Sequence, residues 1–258
     1  MASRKTKKAK KRNQASTGVF SWVKSRLSSF LSWLRRVFSL RRIIVFFLAI
    51  GFLLAGLGFV YRFEAVHPVS TLMIKRVITG KSVDRRWVAL DDVADVMKYS
   101  VIMSEDGQFC AHRGVDWAEM ELVVDGALSG ERVRGASTLT MQTVKNLFLW
   151  NSRSYVRKVL EIPIAIYIDA LWSKKRILEV YLNIAEFGEG VFGVEAAAQT
   201  YFNRSAARLG PRAAALLTST LPNPLARNPA KPSRQQSRIA NIIQRRAAKA
   251  GGYVGCVR

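Results

Sequence analysis

The chain has 258 residues, of which 49% are hydrophobic, enough for one sizeable core with appendages. It carries 41 Lys and Arg against 18 Asp and Glu, a formal charge of +23, so an acidic solvating chain is excluded. The two cysteines, Cys110 and Cys256, stand far apart with no CxxC, which argues against a metal site and gives little reason to expect a disulfide.

The charge is uneven. Residues 1–42 hold 13 basic residues and no acid, leaving 28 basic against 18 acidic residues for the remainder. A basic tail fits nucleic-acid binding or membrane topology, and the next segment decides between them. Val23, Leu27, Phe30, Leu34, Val37 and Phe38 recur near helical spacing among basic residues, as in an amphipathic helix on an anionic leaflet; a disordered tether fits as well. Ile43–Val60 then runs 18 residues without a charge, about 27 Å as a helix, close to the thickness of a bilayer core. The positive-inside rule puts the tail in the cytoplasm and the rest outside, and 42 residues make too long an n-region for a cleaved signal peptide. The expected organisation is a basic tail (1–42), a transmembrane signal anchor (43–61) and an extracytoplasmic domain (62–258), with no nucleic-acid partner.

Beyond the anchor the pattern is mainly helical, with one short strand expected at Thr71–Val77. Leu90, Val93, Val96, Met97 and Val101 predict a helix capped by Asp91 or Asp92 and ending near Ser104, which delivers Glu105 and Asp106 at its exit. Further helices are expected in "STLTMQTVKNLFLW", "KKRILEVYLNIAEF", "VFGVEAAAQTYF" and "PRAAALLTSTLP", with a basic one after Ser233 running to Lys249. Glycines 188, 190 and 193 break the second of these from the third, and Pro222 and Pro224 stop the fourth.

Three constellations carry chemistry. Glu105 stands beside Asp106 and near Met103 and Phe109, and apolar neighbours plus a second acid raise a carboxyl pKa toward that of a general base. Taken alone, the stretch also reads as an ordinary helix end, with His112 ordering a loop and Asp116 capping the helix from Trp117. In "GASTLTMQTVKN", Ser137 and Thr138 sit where a helix begins, and Lys145, Arg153, Arg157 and Lys158 follow. Hydroxyls, helix N–H groups and cations suit a pyrophosphate, although an N-cap with a solvated basic face explains the same residues. Glu161 follows Arg157 by four residues and Lys158 by three and precedes an apolar run; it reads as a carboxylate at the core edge or as an intrahelical ion pair worth a few tenths of a kcal/mol.

Taken in order, these stretches resemble the family 51 glycosyltransferases, the peptidoglycan transglycosylases, and in particular the short monofunctional biosynthetic kind. "EDGQFCAHRGVDW" is similar to the first family motif, "GASTLTMQTVKNLFL" to the second, "RKVLE" to the third, "KKRILEVYLNIAEFGEGVFGVEAAAQTYF" to the fourth and "LPNP" to the last. Five motifs in order are far more specific than any one of them.

The resemblance implies a mainly α, lysozyme-like glycosyltransferase domain with a small jaw subdomain, preceded by one N-terminal transmembrane helix. It implies polymerisation of lipid II into β-1,4-linked strands with release of undecaprenyl pyrophosphate. Glu105 would deprotonate the acceptor 4-hydroxyl for an inverting attack, and Glu161 would assist at the donor side. Ser137, Gln142, Lys145, Arg153 and Arg157 would hold the phosphates, with Asp106, Phe109 and His112 in support. No cofactor is required on this reading, with room left for a divalent cation such as Mg2+. The implied partners are lipid II, the nascent strand and the bacterial inner membrane, with other cell-wall synthesis and division proteins left open.

Three positions depart from the family pattern: Met141 where a Gln is usual, Asp169 where a Glu is usual, and Pro163 inside the third motif's helix. The only Ser-x-x-Lys (Ser21 to Lys24) precedes the anchor and no Lys-Thr-Gly occurs, so no transpeptidase activity is expected. The rival readings are a lysozyme-like hydrolase and a non-enzymatic scaffold.

Overall fold

The computed structural model describes Trp22, residues 24–30, 32–33, 39–130, 135–152 and 154–258. The chain divides into two compact units, Met1–Gly56 and Leu57–Arg258. In the first unit, the described residues from Trp22 to Trp33 are helical, with Leu27 and Phe30 exposed. Val23, Leu34, Val37 and Phe38 of the expected amphipathic face lie outside the described residues.

Helix α1, Leu40–Tyr61, is long and apolar enough to cross a membrane. Phe46, Phe47, Leu48, Phe52 and Leu53 project from it exposed, as a lipid-facing surface would. Its last turn belongs to the second unit and is tied down there. Gly58 allows a close approach: a Cβ at this position would stand 2.9 Å from Ile168 Cδ1. The Gly58 carbonyl accepts from Trp172 Nε1 at 2.7 Å, and the Tyr61 carbonyl accepts from Arg176 Nε at 3.0 Å. Buried Arg176 also donates to the carbonyls of Phe63 and Val66 and pairs with Glu179.

Residues expected as a strand form helix α2, Thr71–Ile78, capped by the Ser70 hydroxyl. The β-branched Thr71, Ile74 and Val77 mimic strand composition, yet Ile74 and Val77 are exposed and only Met73 is buried, so the spacing did not report burial. The helix expected from Leu90 also starts late. Residues Leu90–Asp92 form a 3-10 turn, Val93 is extended, and α3 spans Asp95–Glu105 with no side-chain cap. Leu90 N donates to Glu179 Oε2 and Ala94 N to Ala206 O, and these outside partners hold the backbone away from a continuous helix.

The remaining helices are α4 (Trp117–Leu128), α5 (Leu139–Phe148), α6 (Tyr155–Leu171), α7 (Lys174–Ile184), α8 (Val194–Phe202), α9 (Pro211–Thr220) and α10 (Arg234–Ala248). Of these, α7 and α8 are shorter than expected, because Glu186 and Phe187, like Val191 and Phe192, lie in strands instead. Asp116 does cap α4, accepting from Glu119 N at 3.0 Å. A small sheet joins β1 (Asp84–Arg85), β2 (Glu186–Gly188) and β3 (Val191–Phe192) in the order β1-β3-β2, with β1 parallel and β2 antiparallel to β3. Helix α7 lies at the centre, burying Ile177, Leu178, Val180, Tyr181, Leu182 and Ile184. It packs against α5, which packs against α6 as well, while α3, α9 and α10 pack on one another. The protein is mainly helical, as the resemblance implies.

Cys110 and Cys256 form a disulfide, contrary to the expectation from sequence. The fold brings their Cα atoms to 5.5 Å across 146 positions, a proximity that no local spacing encodes.

Candidate active site

Glu105 ends α3 and is half-buried. Its Oε2 accepts from Gln142 Nε2 at 3.4 Å and its Oε1 from Ser104 Oγ at 3.2 Å. Burial raises its pKa, and the two hydrogen bonds and the charges of Lys145 and Arg227 oppose that rise without cancelling it. Gln142 is held in turn by Tyr181, whose hydroxyl donates to Oε1 at 3.1 Å, and burial drives the Tyr181 pKa well up. That phenol therefore stays protonated and fixes which way Gln142 points.

Asp106 makes the neighbouring scaffold. Its carboxylate accepts from His112 Nε2 at 2.9 Å and from the backbone N–H of Leu139 at 2.8 Å, while Met141 N donates to Thr138 Oγ1 at 3.1 Å. Two amides at the start of α5 are thus engaged by side chains of the protein itself. Phe109 is fully buried, with Lys174 Nζ 4.7 Å above its ring. Gly114, two residues past His112, has φ +81°, and a Cβ there would come within 2.6 Å of the Ala165 carbonyl. The Gly114 carbonyl accepts from Thr138 Oγ1 at 2.6 Å, fastening the two motif loops together.

Glu161 forms the second pole. It is 1% exposed on α6, where Arg157 pairs with it and Lys158 Nζ lies 3.5 Å away. Both readings of Glu161 meet here, since the carboxylate is buried and its ion pairs lie within the helix. Helix α6 continues through Pro163 without a break. The Ser137 hydroxyl accepts from Lys158 Nζ at 2.8 Å, so it positions a cation. Burial, then the charges of Arg157 and Lys145, push Lys158 down to about 8. Burial and Arg157 likewise lower Lys145. These shifts show that Lys145, Arg157 and Lys158 share one electrostatic field. Arg153 lies outside the described residues.

A cleft of about 200 Å3 opens over Gln142 and Lys145, walled by Asn146, Tyr181, Pro222 and Pro224. The "LPNP" stretch therefore contributes a wall. Two of the family departures are accounted for by packing. Met141 is fully buried in the core, and Asp169 accepts from Thr140 Oγ1 at 3.0 Å and from Lys174 Nζ at 2.6 Å. Sequence reasoning missed Tyr181 and Arg227. Tyr181 was hidden in the apolar period of α7, and Arg227 had no signal beyond its nearness to "LPNP".

Glu161 already faces Arg157 and Lys158, so a divalent cation bound at this carboxylate would compete with two cations.

This mainly helical domain is matched by the transglycosylase family model across residues 71–248. The chain belongs to that family and is an enzyme that transfers glycosyl groups. It is 54% identical over 217 residues to a biosynthetic peptidoglycan transglycosylase of Rhizobium meliloti, covering 84% of this chain and 92% of the relative. A protein of the same description from Mesorhizobium japonicum is 61% identical over 202 residues, covering 78% and 86%. One from Brucella suis is 58% identical over 199 residues, covering 77% and 89%.

Proposed function

We propose that this enzyme polymerises lipid II into β-1,4-linked peptidoglycan strands outside the cytoplasmic membrane, releasing undecaprenyl pyrophosphate. The observation that carries the reading is the pairing of Glu105, raised by burial, with the cation field of Lys145, Arg157 and Lys158. Glu105 takes the proton of the acceptor 4-hydroxyl, and that oxygen attacks the anomeric carbon of the growing strand with inversion. A carboxylate with a raised pKa is the stronger base for this step. Gln142, fixed by Tyr181, orients Glu105. As the anomeric bond breaks, negative charge gathers on the departing pyrophosphate, and cations already in place stabilise it.

Glu161 keeps Arg157 and Lys158 together where their repulsion would otherwise part them. Arg153, one position before the helix-capping Ser154, joins this group in the proposal on its motif position. Neutralisation by this chain's own cations requires no divalent ion. The anchor is read as cytoplasmic at its N-terminus, on the charge of residues 1–42. Peptide cross-linking is not part of the proposed activity, because the only Ser-x-x-Lys precedes α1 and no Lys-Thr-Gly occurs in the sequence.

The test gives the full-length protein in detergent either lipid II or finished glycan strands. Polymer from lipid II with intact strands is expected. Strand cleavage without polymer would replace the synthase by a hydrolase, and no turnover of either would favour a scaffold.

A further inference from the structure

The family match ends at residue 248, yet the chain after it is neither loose nor peripheral. Residues Gly251–Val257 form a 3-10 helix that packs against α7. Ala250, Val254 and Val257 are buried in the main core, with Cys256 packed against it. The disulfide joins this segment to Cys110, five residues beyond Glu105, and Cys256 N also donates to Cys110 Sγ at 3.3 Å.

The loop so held is also tied at its far end through His112, whose Nε2 bonds the Asp106 carboxylate at 2.9 Å and whose carbonyl accepts from Lys174 Nζ at 2.8 Å. Its near end is pinned by Asp106 on Leu139 N, and Phe109 is sunk in the core. Gly107, Gln108 and Ala111 are exposed, and the backbone bonds within the loop are short-range turns such as Ala111 N to Gln108 O. Glu105 itself is held by hydrogen bonds of 3.2 and 3.4 Å, too long to fix a carboxylate alone.

We propose that the Cys110–Cys256 disulfide is a clasp through which the C-terminal segment holds the Glu105 loop in its reactive pose. Residues 250–258 are then part of the active-site scaffold, and the two cysteines are positioning residues. The proposal rests on Glu105 as the general base. Cys110 also lines an open pocket of about 360 Å3 with Gly107, Gln108 and Tyr253, so a small phosphine reductant can reach the bond from solvent.

The test uses the full-length protein in detergent as Cys110→Ser, as Cys256→Ser, and as wild type opened after folding with a phosphine reductant. Should a serine variant fail to fold, the reduced wild type still answers. Three readouts are taken well below the melting temperature: polymerisation rate, its pH profile, and amide hydrogen exchange at residues 107–112. Expected are a rate loss of about tenfold, since small misplacements of a base are costly, and faster exchange confined to that loop.

The acid limb of the profile should move to lower pH as Glu105 gains water. The groups facing Glu105, namely Ser104, Gln142, Lys145, Tyr181 and Arg227, stay in place. Ile243→Ala, in the separate small core of α9 and α10, serves as a control for lost stability alone and should keep the wild-type profile. Unchanged exchange overturns the clasp, and so does faster exchange with unchanged rate and profile. Glu105→Gln, assayed beside them, tests the base separately: normal turnover there identifies the base assignment as the part that failed.

Discussion

Glu105 and Glu161 are both taken out of water, and the surroundings make different groups of them. Glu105 meets an amide and a hydroxyl at long range, and burial wins, raising its pKa. Glu161 is more deeply buried, yet Arg157 and Lys158 stand against it, and Lys158 is itself pushed down to about 8 by its own burial and by the charges of Arg157 and Lys145. Depth alone therefore does not assign a role. A carboxylate whose hydrogen-bond partners are neutral and whose cations stand further off suits a base, whereas one in direct ion pairs with two cations suits the counter-ion of a phosphate site.

The largest break in this comparison is Glu105→Gln. Polymerisation should fall about 10³-fold, because general-base catalysis supplies 10²–10⁴-fold, while binding of lipid II survives the near-isosteric change. Single-turnover rates and a binding isotherm check both halves, and near-normal turnover would move the base elsewhere. Lys145→Met comes next. Removing a cation that acts as the leaving group gains charge should cost about 2–4 kcal/mol in the catalytic rate as well as affinity. A loss confined to KM would make Lys145 a ground-state binding residue only.

A smaller effect concerns the alkaline side. Lys158 is cationic below about 8 and neutral above it, so KM for lipid II should rise as the pH passes that value. Glu161→Gln removes a neighbouring negative charge, lowers the Lys158 pKa further and should shift that rise to lower pH. An unchanged alkaline limb would detach Glu161 from the phosphate site. The smallest expected effect is on the acid side. The Gln142 bond favours the charged form of Glu105, so Gln142→Met should move the acid limb of kcat/KM to higher pH. A shift in the other direction would mean that water replaces the lost amide.

The helices and both poles were legible because each rests on local spacing: α7 and α10 on apolar periods, and Glu161 on the offsets of Arg157 and Lys158. What escaped rests on contacts between distant positions. Asp106 caps a helix that starts 33 residues later, and the cysteines meet only through the fold. The error at Thr71–Ile78 had another origin, since exposed β-branched side chains carry strand propensity into a helix whose polar caps decide its form.

The last turn of α1 also bears on how the enzyme can be made soluble. Cutting the chain after Tyr61, where hydropathy marks the end of the span, would remove the carbonyls that receive Trp172 Nε1 and Arg176 Nε. Each buried donor left unpaired costs about 1–3 kcal/mol. A cut made before Leu57 keeps both bonds and sacrifices only the part of the helix that the second unit does not own. The natural place to cut away the apolar helix therefore lies inside the hydrophobic run.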